Sequence, residues 1–362
     1  MANITTEQYL AVSALAYSDL SQFTERNLGR VIAEANSQKG VEQEIVKGYK
    51  HEKTGEISPE FHALSSLSDW VIVNAETYSS GMSAIALQNP DTKEVVFAFR
   101  GTELNDLGDI ATDEQLFSGL THTIPTQFHH AEQFVHNVLA TKPDITNYSF
   151  TGHSLGGALA QYLTYKTDHR AVTFNAPGIG SVITSASGKK VDYTYYKDKA
   201  INYANESDVI GNYRNDTRIG TNTLIGGTGN DRLDGDTGND TYIFNRGDGQ
   251  DILVDTGGVD TIQLNYNTNV VMFERSGQDM YIRLHDSSDT IKITEQYRSD
   301  TKKIETFTAA NGYSISHVQV DNLIQAMASF QQDTGMTWQQ ALQFQPDQTQ
   351  QIIQQYWTPP TV

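Results

Sequence analysis

The sequence contains no cysteine. A disulfide framework and a thiolate zinc site are therefore both excluded. Long apolar runs are missing as well: no stretch approaches the roughly 20 apolar residues that a membrane span requires. Met1 to Leu20 has neither a basic opening nor an apolar centre, so no cleavable signal peptide is expected. Positive charge is scarce. Lys and Arg number 25 against 44 Asp and Glu, a net charge of −19. Such a chain repels nucleic-acid phosphates, and no nucleic-acid partner is expected. The same excess suits cation binding and an acidic, soluble, exported protein. Also absent is the H-E-x-x-H pattern of metalloproteases.

What is present suffices for a folded enzyme. Hydrophobic residues make up 38% and aromatic residues 10%, enough for a core, and 362 residues suit two or three domains. The most informative stretch is Asn147-Tyr-Ser-Phe-Thr-Gly-His-Ser-Leu-Gly-Gly-Ala158. It predicts a short strand, a tight glycine turn and a helix from Gly157 to Lys166. Within it, Gly152-His153-Ser154-Leu155-Gly156 matches G-x-S-x-G. A serine nucleophile must project from a sharp turn, and the flanking positions must lack side chains so that strand and helix can approach. The helix N-terminus then aims its amides at the turn, which favours an oxyanion.

Around this turn the patterning predicts an α/β arrangement. Thr5 to Leu20 is expected as a capped helix, with Tyr9, Leu10, Val12, Ala16, Tyr17 and Leu20 as apolar positions. Val31 to Tyr49 is expected to be helical or mixed. Strands are expected at Trp70 to Glu76, Ser83 to Gln88, Glu94 to Phe99, Ala171 to Phe174 and Lys199 to Asn205. Gln127 to Ala140 alternates as an amphipathic helix with Phe128, Ala131, Phe134, Val135 and Val138 inward. His122, His129, His130 and His136 cluster here. Without a ligand spacing, packing or solvated histidines are expected rather than a metal site.

From Thr217 the composition changes. Gly226-Gly-Thr-Gly-Asn-Asp231-Arg-Leu-Asp234 aligns position by position with Gly235-Asp-Thr-Gly-Asn-Asp240-Thr-Tyr-Ile243. A decayed unit precedes them, with Asn222 in the aspartate place, and Gly247-Asp-Gly-Gln-Asp251 follows. Each unit predicts a glycine turn with open carbonyls and a carboxylate, then a short strand with one inward apolar residue: Leu224, Leu233 or Tyr242. The nonapeptides resemble RTX calcium-binding repeats. Stacked turns of this kind offer all-oxygen cages suited to Ca²⁺. Expected ligands are Asp231 and Asp240 first, then Asp234, Asp236 and Asp251, with Gly227, Gly229 and Gly238 supplying the turns. Beyond, alternating strands are expected at Asp260 to Leu264, Val270 to Glu274, Asp279 to Leu284 and Thr290 to Thr294. Val318 to Phe330 is expected as a helix, and Gln339 to Trp357 as an exposed helical or disordered segment.

Three motifs in order carry a family resemblance over roughly Ile4 to Ile219. Phe99-Arg100-Gly101-Thr102, Gly152-His153-Ser154-Leu155-Gly156-Gly157 and Thr173-Phe174-Asn175-Ala176-Pro177-Gly178 resemble the class 3 (α/β-hydrolase) lipases. The resemblance implies Ser154 as nucleophile, and Thr102 and the Leu155 amide as oxyanion donors. It implies a mobile lid over residues 103–127, though the Asp-Trp pair usual there is replaced by Asn105-Asp-Leu-Gly-Asp109. It places the triad acid at Asp208, ahead of Glu206 and Asp192. The family histidine should follow in a His-Ile-Gly sequence, where this chain reads Arg218-Ile219-Gly220. Downstream only His285 and His317 remain. His317 is preferred because it is expected in a loop between a strand and a helix.

The expected architecture is therefore α/β: a lipase domain at 1–216, calcium repeats forming a parallel β-roll at 217–256, and a β-rich region with terminal helices and a secretion segment at 257–362. The expected function is a secreted bacterial lipase or phospholipase A1 cleaving acyl esters at a membrane or emulsion interface as a monomer, with Ca²⁺ as its cofactor. The region after the repeats resembles proteins exported by bacterial type I secretion machinery. Low calcium in the cell would leave the acidic repeats unfolded, and calcium outside would fold them. Two alternatives stand beside this: a hydrolase-fold binding module that has lost its histidine, and a calcium-dependent adhesin.

Overall fold

The computed structural model describes residues 4–18, 20–31, 64–101, 126–187, 193–196, 199–205 and 220–360. The chain forms two compact units, divided at Gly220 and Thr221, with Ala204–Val209 assigned to the second.

The first unit is organised by β3 (Val95–Phe99), a run of five apolar residues that are all buried. Val95, Phe97 and Phe99 face one core and Val96 and Ala98 the other. A strand covered on both faces needs no polar alternation, which is why its sequence is a continuous apolar run. β1 (Val71–Thr77) and β2 (Ser83–Gln88) lie antiparallel on one side of it. On the other, β4 (Tyr148–His153), β5 (Ala171–Phe174) and β6 (Ala200–Asn205) continue the sheet in parallel. One face is covered by α1 (Thr6–Leu15), closed by a Thr5–Gln8 capping box. It packs Tyr9, Val12 and Leu15 against Ile72, Val96 and Val172. The other face carries α2 (Thr126–Thr141), α3 (Leu155–Thr167) and α4 (Gly180–Ser187). Phe128, Phe134 and Leu159 fill that core against Phe97 and Phe150. Each such fully buried side chain contributes about 1.5–3 kcal/mol. This doubly covered, mostly parallel sheet is the α/β-hydrolase-like arrangement.

The second unit alternates between two sheets. β7 (Thr221–Ile225), β9 (Thr241–Phe244), β11 (Thr261–Leu264) and β15 (Thr306–Ala309) stack in parallel, and β16 (Ser314–Ser316) closes that edge antiparallel. β8 (Arg232–Asp234), β10 (Gln250–Val254) and β14 (Thr290–Ile293) form a second parallel stack, which β13 (Asp279–Leu284) and β12 (Val271–Ser276) extend antiparallel. Leu224, Leu233 and Tyr242 point inward as expected, into a core shared with Ile262, Phe307, Leu323 and Ile353. That core draws on both 217–256 and 257–362.

Two expectations are corrected here. His317 is not in a loop. It is the first residue of α5 (His317–Thr334), because Ser316 and Gln319 form a capping box that starts the helix one residue earlier than the apolar pattern suggested. The Gln-rich tail is helical, one of the two forms expected of it, but it is not free in solvent. It folds as α6 (Trp338–Phe344) and α7 (Pro346–Tyr356), burying Trp338, Ala341, Ile353 and Trp357 while Gln339, Gln343, Gln351 and Gln355 face outward. The glutamine content masks four apolar anchors at helical spacing. The expected segments Val31 to Tyr49 and the lid at 103–127 lie outside the described residues, apart from Val31 and the start of α2.

Candidate active site

Ser154 sits where β4 ends and α3 begins. Its backbone is at φ 54°, ψ −130°, a region that a residue with a side chain rarely adopts. Hydrogen bonds hold it there: Ser154 N donates to the Phe174 carbonyl at 2.9 Å, and the Ser154 carbonyl accepts from Gly157 N at 2.9 Å. The flanking glycines are sterically required. A Cβ on Gly156 would lie 2.0 Å from the Phe99 carbonyl oxygen, and one on Gly152 would lie 2.3 Å from the Gly156 carbonyl carbon and oxygen. The turn thus presses α3 against the ends of β3 and β4. Ser154 is 3% exposed, and its Oγ has no hydrogen-bond partner among the described residues. A buried hydroxyl without a partner costs about 1–3 kcal/mol in a purely structural role.

Leu155 opens α3 and is fully buried beside the serine. Gly101, which follows β3, also reaches this point: a Cβ on it would lie 3.1 Å from the Ser154 Cβ and 2.6 Å from the His153 carbonyl oxygen. Its neighbour Thr102, the expected oxyanion donor, lies outside the described residues, as do Asp208, Glu206, Asp192 and Arg218. His317 and His285 belong to the second unit and Ser154 to the first. His317 is half-buried, its amide donates to the Glu305 carbonyl at 2.9 Å, and its Nδ1 is buried with no hydrogen-bond partner among the described residues. His285 follows β13 and donates its amide to Val270. Of the histidines on α2, His130 accepts from or donates to Ser80 Oγ at 2.6 Å through Nδ1 and stacks on Tyr78, while His129 and His136 line a groove of about 550 Å³ with Glu132 and Lys166. His122 is outside the described residues.

The glycine-rich turns of the second unit carry a repeating carboxylate pattern. One oxygen of each aspartate accepts the amide of its counterpart in the turn below. Asp240 Oδ1 accepts from Asn222 N at 2.7 Å, Asp260 Oδ1 from Asp240 N at 2.8 Å, and Asp251 Oδ1 from Asp231 N at 3.0 Å. Glu305 Oε2 ends the first column by accepting from Asp260 N at 2.7 Å. The second oxygens of Asp231, Asp240 and Asp260 are buried and have no partner among the described residues. Carboxylate atoms of Asp240, Asp255 and Asp260 all lie within 4.8 Å of one another. Burial drives Asp240 well above the usual carboxylate range. Burial, with Asp255 beside it, raises Asp260 to about 8, and burial raises Asp251 to about 6. Orphaned, mutually repelling oxygens in hard-ligand surroundings fit a divalent cation.

The other expected ligands divide. Gly227, Gly229 and Asp236 take positive φ in the turns, and Gly238 N donates to Gly257. Asp234, at the end of β8, instead pairs with Arg232 at 3.1 Å. Sequence reasoning missed Asp255 and Asp260. A signal was there: Asp231 to Asp251 and Asp240 to Asp260 are both 20 residues apart. The step from Asp240 to Asp251, longer than nine residues, hid it from a nine-residue alignment.

The family description of the Tle-like phospholipase domain matches residues 30–243, which is 214 of the 362 and includes the whole Ser154 turn. Among solved structures, the extracellular lipase LipA from Serratia marcescens aligns over 86% of this chain and 72% of its own, at 14% identity and a TM-score of 0.34. The Lip2 lipase from Yarrowia lipolytica aligns over 57% and 71%, at 15% identity and 0.32. Lipase II from Rhizopus niveus aligns over 57% and 72%, at 14% identity and 0.31. Superpositions at these scores do not bear on the site.

Proposed function

Since the chain belongs to the phospholipase-like family and is a lipase/phospholipase-type hydrolase, we propose that it cleaves acyl esters of lipids, phospholipase A1 fashion, with Ser154 as nucleophile. The observation that carries this is the strained, partnerless serine at the strand-to-helix turn. Ser154 Oγ attacks the ester carbonyl and loses its proton to a histidine, for which His317 is the choice. The tetrahedral oxygen takes its negative charge toward the Leu155 amide and Thr102. The histidine passes the proton to the leaving alcohol, and the acyl group stays on Ser154. Water, deprotonated by the same histidine, then releases the fatty acid and restores the hydroxyl. Asp208 orients the histidine.

Calcium stabilisation and export belong to the same proposal. Asp240, Asp255 and Asp260, whose carboxylate atoms lie within 4.8 Å of one another, would hold one ion, and the turns that carry Asp231, Asp236 and Asp251 offer the other candidate ligands. When bound, calcium neutralises the buried carboxylates and ties successive turns together; it takes no part in ester cleavage. The acidic turns and the resemblance to type I secretion substrates support an extracellular protein.

The test is hydrolysis of a phospholipid and a triglyceride by wild type and Ser154→Ala, with products assigned to the ester position cut. Turnover that survives Ser154→Ala would remove the assignment. The Arg218 substitution in the family's histidine place supports the second reading, a hydrolase-fold binding module. A fluorophosphonate probe separates the two: an activated Ser154 is labelled and an inert one is not.

A further inference from the structure

Tyr17 lies two residues past the end of α1, and sequence patterning treats it as one more apolar position. Its hydroxyl is elsewhere engaged. Gly101 N donates to the Tyr17 oxygen at 3.1 Å, and that oxygen is 3.3 Å from His153 Nδ1. A Cβ on Gly101 would lie 2.2 Å from the phenol oxygen and 3.1 Å from the Ser154 Cβ. The phenol oxygen therefore fills the space that a side chain on Gly101 would take, beside the His153 carbonyl and the nucleophile's Cβ.

We propose that Tyr17 is a positioning residue for the oxyanion strand end: its hydroxyl fixes the Gly101 peptide, and through it the direction in which the chain leaves β3 beside Ser154. This rests on Ser154 being the nucleophile.

The physical reasons are three. First, β3 has ended at Phe99, so Gly101 N has no strand partner; the phenol oxygen gives it one. Second, the residue before it is clamped: Arg100 N donates to the Ser83 carbonyl at 2.9 Å, and the Arg100 guanidinium donates to the Gly81 carbonyl. The two anchors fix consecutive residues, leaving little rotational freedom at the exit from the sheet. Third, the hydroxyl that accepts from Gly101 also lies within hydrogen-bond distance of Nδ1 of His153, the residue directly before the nucleophile. One oxygen thus ties the strand end to the serine turn. Donors to a developing oxyanion act through their placement, and a displacement of about 1 Å costs about 100-fold in rate.

The experiment uses the full chain with calcium. Tyr17→Phe keeps the ring and removes the oxygen. The expected result is a kcat about 10- to 100-fold lower with KM within about twofold. The rate of Ser154 labelling by a fluorophosphonate should fall by the same factor, and the loss of the Gly101 partner should lower the melting temperature by only a few degrees. In spectra of ¹⁵N-glycine-labelled protein, the Gly101 amide should move. Equal kcat and equal labelling in wild type and Tyr17→Phe would overturn the inference while leaving Ser154 in place. If wild type itself is not labelled, the nucleophile reading fails and this inference falls with it. Should Tyr17→Phe melt early, 3-fluorotyrosine at position 17 keeps both packing and hydroxyl but weakens the oxygen as an acceptor. An intermediate labelling rate there supports the inference, and an unchanged rate overturns it.

Discussion

At the scale of single residues, the serine turn trades stability for geometry. A residue with a Cβ at φ 54°, ψ −130° carries strain of about 1–3 kcal/mol that glycine would not. Ser154→Gly is therefore expected to raise the stability of the first unit by about 1 kcal/mol and to abolish turnover. Urea unfolding followed by intrinsic fluorescence reads this, and a lower midpoint would contradict it. Gly156→Ala is the opposite case. Its methyl group would meet the Phe99 carbonyl oxygen at 2.0 Å, so strand and helix must separate. A loss of about 1–3 kcal/mol is expected by the same measurement. The need for these glycines was legible in the sequence, since G-x-S-x-G states the steric condition directly. The partner of Gly101 was not, because Tyr17 is 84 residues away and its helical spacing reads as apolar.

Elements carry the charge problem. The stacked turns of the second unit bury Asp251 and Asp260, whose pKa values rise to about 6 and about 8 from 3.8, burial being the first cause in both. Folding therefore favours their protonated forms. Without a cation, the stabilisation they give is complete below about 3.8 and is lost as pH rises through about 6 and about 8. In chelator the second unit should melt at a higher temperature at pH 5 than at pH 8. If the turns hold calcium, binding needs the ionised forms, and the calcium-dependent gain should grow over the same range. Calorimetry at the two pH values, with and without calcium, checks both signs. A second prediction concerns α5. Ser316 accepts from Gln319 N at 3.3 Å, and Gln319 reaches back to Ser316 N at 3.0 Å. Ser316→Ala should cost the second unit about 1 kcal/mol. If His317 serves Ser154, turnover should fall along with helix order in hydrogen exchange.

For the whole molecule, the division into two units with separate cores sets the expectation. Among the described residues, the orphaned carboxylates all lie in the second. Thermal unfolding should show two transitions, of which calcium raises only one. If His317 serves Ser154, then His317→Ala abolishes turnover at unchanged stability of the first unit, whereas His285→Ala leaves it. Both variants retaining full activity would remove a base supplied by the second unit. The charge of −19 adds a salt effect: in chelator, added sodium chloride should stabilise by screening repulsion among the carboxylates.

The sequence by itself determined the strand–turn–helix at Ser154, the fully apolar β3 and the glycine repeats at 226–243. In each, the requirement is local: a turn that excludes side chains, a strand covered on both faces, a period of nine. Tertiary structure decided the rest. Asp260 joins Asp240 because parallel stacking brings residues 20 apart in sequence into register, and the chain that links the stacked strands places Asp255 beside them. His317 begins a helix because its neighbour caps it, and the Gln-rich tail packs because Trp338, Ile353 and Trp357 find a core supplied by distant strands. Tyr17 meets the nucleophile turn because the sheet brings α1 and the end of β3 together. Periodicity records which face of an element is buried, and it carries no information about which atom from elsewhere in the chain will meet that face.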